Sequence, residues 1–183
     1  MAKLLVPISN GFEEIEAVSI IDICRRGNID VTIASIEGIN VLGAHQISIK
    51  ADKLLSDIDE KDFDMIALPG GLPNAFNLAE NELLQKILKQ FKENNKNIAA
   101  ICAAPFALHV AGVLNKNYTC YPGFETKIKE DGYIQNENIV SDGKVLTSRG
   151  PASAKVFALE IVKILKGKEE YEIVKEGLLA TNC

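Results

Sequence analysis

The chain reads as an α/β protein built on an open, mainly parallel sheet with helices on both faces. Three observations predict this class. Short, nearly unbroken apolar runs occur at Lys3 to Ile8, Met65 to Leu68 and Ile98 to Ile101, as expected for strands buried on both sides. Segments of helical period separate them, and Gly, Pro or Asp punctuates the joins.

The elements follow in order. After the Lys3 to Ile8 strand, Gly11 to Arg26 reads as a helix closed by Gly27 in a left-handed conformation. Asp30 to Ser35 is a second strand, and a Gly-rich turn leads to a short strand around Ile47 to Lys50. Met65 to Leu68 stops at Pro69, Gly70 and Gly71. Glu80 to Asn94 carries apolar residues at 83, 84, 87, 88 and 91, a helical spacing. The Ile98 strand then gives way to a helix from Ala104 to Ala111, with Pro105 in its first turn. Ile139 to Thr147 reads as a hairpin turning at Asp142 and Gly143, and Ala152 to Leu165 as a helix ended by Gly167.

The bulk numbers bound the function. One domain spanning residues 1–183 is expected, large enough to bury a core without disulfide or metal staples. Net charge −5 disfavours a nucleic-acid footprint, and no apolar stretch is long enough for a bilayer span. The N-terminus lacks the pattern of a secretory signal, so a cytoplasmic location is the expectation. Cys24, Cys102, Cys120 and Cys183 show no metal-ligand spacing and are expected as thiols, and Cys183 is not placed for prenylation.

Ligands of such a sheet gather at the C-terminal ends of its strands, and three unusual loops lie there: Ser9 to Glu16, Pro69 to Gly71, and Cys102 to Pro105. Cys102 admits two readings. It is a small buried hydrophobe, or a reactive thiol whose ionisation the following helix N-terminus favours. In the first loop, Glu16 shares a helical stripe with Phe12, Ile20 and Ile23, so its carboxyl is a candidate for burial and a raised pKa. Glu13 shares a stripe with Ala17, Ile20 and Cys24, and spacing does not choose between the two. Gly70 and Gly71 expose backbone N–H groups that, with that of Ala103, suit a developing oxyanion. Thr147 to Pro151 places Arg149 and Gly150 before a helix, which is either an anion site or a capped helix start beside the pocket or a subunit interface. His109 lies seven residues past Cys102, about 10 Å along a helix at roughly 1.5 Å per residue, too far to pair with it. His45 sits in a loop of undetermined direction, so a Cys/His/Asp triad lacks its histidine.

NGFEEIEAV, LPGG, IAAICAAP and LTSRGP, in this order along essentially the whole chain, resemble the ThiJ/PfpI superfamily and within it the DJ-one branch. The resemblance implies a flavodoxin-like three-layer sandwich with an added hairpin, a homodimer, and a cysteine on a strained strand-to-helix turn. It maps the nucleophile onto Cys102, the acid that hydrogen-bonds the sulfur and lowers its pKa onto Glu16, and the oxyanion donors onto Gly71 and Ala103. Some relatives carry a histidine where this chain has Tyr121, and an arginine reaching across from the partner subunit falls near His45. Ala103 replaces the histidine of the protease-like branch, which disfavours peptidase activity.

Two functions follow from the resemblance. One is a cofactor-free glyoxalase or deglycase acting on small 2-oxoaldehydes such as methylglyoxal, or on their adducts, in carbonyl and oxidative stress defence. The other is a redox sensor or chaperone working through oxidation of Cys102. Neither requires a metal or glutathione. Tyr121, Arg149, Gly150, Pro151 and His45 are the candidate pocket or interface residues.

Overall fold

A computed structural model describes residues 1–180; Cys183 lies outside them. Seven strands form one sheet: β1 (Lys3–Ile8), β2 (Asp30–Ser35), β5 (Lys53–Leu54), β6 (Met65–Leu68), β7 (Asn97–Ile101), β8 (Ile139–Asp142) and β9 (Val145–Ser148). Their order across the sheet is β5-β2-β1-β6-β7-β9-β8, all parallel except β8, which pairs antiparallel with β9. β3 (Asn40–Leu42) and β4 (Ser48–Lys50) make a separate two-stranded hairpin. The sheet class and the β8–β9 hairpin are those the sequence predicts.

The apolar runs have a simple physical origin. Successive side chains of a strand point to opposite faces, and here both faces are cores. Leu4, Val6 and Ile8 pack with Ile20 and Ile23 of helix α1 (Glu14–Arg26) and Phe157 and Ile161 of α6 (Ala154–Lys166). Leu5, Ile66 and Ala100 face the opposite core with Leu84, Leu88 and Phe91 of α3 (Glu82–Glu93) and Leu108 of α4 (Pro105–Val110). No helix among the described residues is long and apolar enough to cross a membrane.

The structure departs from the sequence reading at several ends. α1 starts at Glu14, not Gly11. Gly11 instead makes a turn at φ +82° whose missing Cβ would fall 2.3 Å from Pro73 Cδ, and its N–H donates to Leu42 O. Gly27 closes α1 with φ −80°, and the left-handed residue is Asn28 at φ 52°. The segment read as Glu80 to Asn94 is helix α3, which starts at Glu82; an unpredicted helix, α2 (Asn74–Glu80), precedes it, and the two part at Asn81, whose side chain accepts from Leu84 N–H. Past Gly167 a further helix, α7 (Lys168–Gly177), packs on α6; its mixed charges had hidden it.

Candidate active site

At the C-terminal end of β7 the chain turns sharply into α4, and Cys102 takes φ 65°. That left-handed conformation is costly for a residue with a side chain and persists only where its surroundings enforce it. Here Cys102 N–H donates to Ser148 O at 2.9 Å, and Cys102 O accepts from Tyr121 N–H at 2.7 Å. The thiol is 8% exposed, at the base of a pocket of about 340 Å³ lined by Glu13, Gly71, Cys102, Ala103, Tyr121 and Pro151, with Ala44, Leu72 and Phe124. The three loops singled out from the sequence therefore meet.

The structure chooses between the two glutamates. Glu16 is fully buried, and its Oε2 accepts from Gly70 N–H at 2.8 Å. Its carboxyl lies beside the Cys102 side chain, close enough for each group to shift the other's ionisation, while Oε1 is buried with no hydrogen-bond partner among the described residues. Burial raises the Glu16 pKa to about 7, partly opposed by the Gly70 hydrogen bond and by Cys102. Glu13 stands at the pocket wall, partly exposed, its backbone N–H held by Gly70 O.

Two expectations need correction. Gly70 is not an oxyanion donor, because its N–H is taken by Glu16. Its role is steric: a Cβ there would lie 2.8 Å from Cys102 Cβ and 2.9 Å from Glu16 Oε2. The thiol pKa is raised, not lowered, by burial and by the adjacent Glu16, while the N–H groups of Ala103 and Gly71 pull it down. The six-residue α4 is too short for its dipole to outweigh burial. The two groups titrate as a pair, and with the shared proton on Glu16 the repulsion between two anions is removed.

Asn74, absent from the sequence reading, positions the loop. It is buried; its Nδ2 donates to Pro69 O and Gly70 O at 2.8 and 2.9 Å, and its Oδ1 accepts from Ser9 N–H at 2.8 Å. One amide thus ties the PGG loop to the end of β1. An Asn directly after the PGGLP turn is the signal that points to such a clamp.

The remaining candidates sit around this core. Tyr121 and Pro151 line both the thiol pocket and an adjoining hollow of about 460 Å³, which Arg149 and Gly150 also line. The backbone of the Thr147 to Pro151 turn is that of a capped helix start, which leaves the Arg149 side chain as the part of the segment available to an anion. Ser153 Oγ accepts from Gly150 N–H at 3.2 Å and lies 2.7 Å from Ser148 Oγ. His45 is exposed at the rim, its Nδ1 2.8 Å from Glu14 Oε2 and 3.8 Å from Glu13 Oε2, and it does not line the thiol pocket. Those carboxylates raise its pKa. Glu13, Glu14 and His45 bring potential metal-ligand atoms within 4.8 Å of one another, but both Glu14 oxygens already hold the 45–47 loop. His109 lies elsewhere, 3.2 Å from Glu130. Cys24, Cys102 and Cys120 are free thiols.

Comparison with known proteins agrees with this architecture. The DJ-1/PfpI family model matches residues 2–164. The chain is 42% identical over 171 residues to protein DJ-1 homolog B of Arabidopsis thaliana, covering 92% of this chain and 39% of that protein. It thus spans less than half the length of the two Arabidopsis relatives. It is 36% identical to glutathione-independent glyoxalase DJR-1.2 of Caenorhabditis elegans, covering 92% of this chain and 90% of that one. Among solved structures, Drosophila melanogaster DJ-1beta superposes with TM-score 0.93 at 36% identity over 97% of each chain. Oxidised DJ-1 of Toxoplasma gondii does so with TM-score 0.91 at 37% identity over 98% of each. With the family match running nearly the length of the chain, and relatives of this identity covered almost end to end, the protein belongs to the DJ-1/PfpI family.

Proposed function

We propose that the protein is a cysteine-dependent, glutathione-independent glyoxalase or deglycase that converts methylglyoxal-like 2-oxoaldehydes, free or as adducts, to 2-hydroxy acids. The observation that carries this reading is the buried Glu16 carboxyl against the Cys102 sulfur, with a pKa of about 7. At neutral pH such a group is populated both as base and as acid, the condition for moving a proton in either direction. The name of the C. elegans relative supports the same class.

The steps follow from that pair. The Cys102 sulfur adds to the aldehyde carbon, and the thiol proton ends on the carbonyl oxygen, giving a hemithioacetal. Glu16 as carboxylate removes the proton from the former aldehyde carbon and returns it to the neighbouring former ketone carbon. The product is a thioester of the 2-hydroxy acid. Water hydrolyses it, releasing lactate from methylglyoxal and restoring the thiol. Gly71 and Ala103, whose N–H groups point at the sulfur, are the donors nearest an oxyanion on the attached carbon.

The test is lactate formation from methylglyoxal by wild type, Cys102→Ser and Glu16→Gln. The reading expects loss of turnover in Cys102→Ser and a drop of roughly 100-fold or more in Glu16→Gln. Turnover unchanged in Cys102→Ser overturns it.

A second reading, a redox sensor or chaperone, rests on the unpartnered Oε1 of Glu16, which as an acid would donate to an oxygen added to the sulfur. The T. gondii relative is described as oxidised. Two equivalents of peroxide would take Cys102 to the sulfinic acid with loss of two waters. Mass spectrometry should then find two added oxygens on Cys102 before Cys24 or Cys120; indiscriminate oxidation overturns this reading.

A homodimer is part of the proposal. Ile15 and Val18 of α1 and the nearby Ile47 are 58%, 47% and 55% exposed, an apolar patch suited to a second copy. Light scattering at twice 19.9 kDa is the expected result, and a monomer contradicts it. A cytoplasmic location is part of the same proposal, and free thiols at the three described cysteines are compatible with it.

A further inference from the structure

We propose that the hollow beside the thiol pocket holds a carboxylate at the far end of the substrate through Arg149, so that acidic 2-oxoaldehydes are preferred over neutral ones. This rests on the reading of Cys102 and Glu16 given above and adds the class of substrate.

The sheet register places Arg149 where such a contact requires. Ile101 of β7 is opposite Ser148 of β9, so the next residues along the two parallel chains are Cys102 and Arg149. The hollow lined by Arg149 encloses about 460 Å³ and shares Tyr121 and Pro151 with the thiol pocket. That is a volume typical of a ligand site, and a three-carbon aldehyde held at the thiol leaves it empty.

Charge selects what fills it. Arg149 is partly buried and, among the described residues, is the only charged one lining the hollow. Its guanidinium has no ion pair among the described residues. Removing a cation from water without a partner is unfavourable, and a planar carboxylate is the partner that a guanidinium engages through two parallel hydrogen bonds. The neighbouring backbone does not compete, since Gly150 N–H is held by Ser153 and Arg149 N–H by Asn138 O. Between thiol and guanidinium the wall is Tyr121, whose ring packs where a Cβ on Gly150 would lie, 3.3 Å away. The path thus runs from a nucleophile, past an aromatic wall, to a cation.

The substrate that matches carries an aldehyde and ketone at one end and a carboxylate a few carbons away. Its conversion needs no external oxidant: the aldehyde carbon takes oxygen from water and becomes a carboxylate while the adjacent ketone becomes the alcohol.

The test uses 4,5-dioxopentanoate and 2-oxopentanal, which differ in a terminal carboxylate against a methyl group. Wild type is expected to favour the acid in kcat/KM by about tenfold or more, as for one charge-assisted contact. In Arg149→Gln the ratio should fall to near one, with Arg149→Lys between. Equal kcat/KM values in wild type, or a preference that survives Arg149→Gln, overturns the inference. If neither aldehyde is turned over, the catalytic reading fails and the subsite is judged by binding. Calorimetry with Cys102→Ser should then show saturable binding of 2-hydroxyglutarate but not of 2-hydroxypentanoate, abolished when Arg149→Gln is added. No binding, or binding indifferent to Arg149, overturns it.

Discussion

β7 and β9 lie side by side, parallel and in register, and each passes into a helix through a proline, Pro105 or Pro151. Their ends behave differently. At Gly150 the turn satisfies itself: the backbone is extended at φ 169°, and Ser153 Oγ bonds Gly150 N–H, Gly150 O and Ser148 Oγ. At Cys102 the backbone is left-handed, and the N–H groups of Ala103 and Gly71 are aimed at a sulfur instead of an oxygen cap. The same place in the topology thus yields a closed helix start and, at Cys102, the left-handed thiol that we propose as the nucleophile. The strand end supplies the opportunity, and reactivity appears where local polar groups are not consumed by the turn itself.

The contrast breaks most completely with Cys102→Ser, which should leave lactate formation from methylglyoxal at background. Next comes the carboxyl that makes the cysteine end unusual. Burial raises Glu16 from 4.5 to about 7, so the folded state binds the proton more tightly than the unfolded state. Stability is fully present below pH 4.5 and falls as pH rises through about 7. That shift corresponds to about 3 kcal/mol. Glu16→Gln should therefore flatten the decline, and denaturant melts at pH 5 and pH 8 will show it; equal pH slopes for both proteins contradict the assignment.

Smaller effects sharpen the other end. Ser153→Ala removes the oxygen that closes the Gly150 turn and should destabilise by about 1–3 kcal/mol, the cost of a buried N–H left unpaired. Asn81→Ala, remote from both ends, removes the α3 cap and should cost about 1 kcal/mol in a thermal melt while methylglyoxal turnover stays unchanged.

Much of the fold was legible because both faces of the sheet are cores. β1, β6 and β7 read as apolar runs for that reason, and α3 read as a helix because Leu84, Ile87, Leu88 and Phe91 fall on one stripe. α2 was not legible, since Asn74–Glu80 follows the turn-forming PGGLP and its burial comes from packing on α4. The site was legible in its parts and not in its geometry. Glu13 and Glu16 both lie on apolar stripes, and the Gly70 N–H, a contact 54 residues away in sequence, distinguishes them. The same contact removed Gly70 from the oxyanion donors. The raised thiol pKa was equally hidden, because burial of a side chain is a tertiary property that the Cys–Ala–Ala–Pro segment does not encode.

The central claim is that Glu16, held near neutrality against Cys102, moves the proton in the reaction. The most direct measurement is kcat/KM for methylglyoxal as a function of pH in wild type and Glu16→Gln. Wild type should rise with an apparent midpoint near 7, set by ionisation of the pair, and in Glu16→Gln that step should vanish along with most of the activity. The same midpoint retained in Glu16→Gln at wild-type rates would contradict the account.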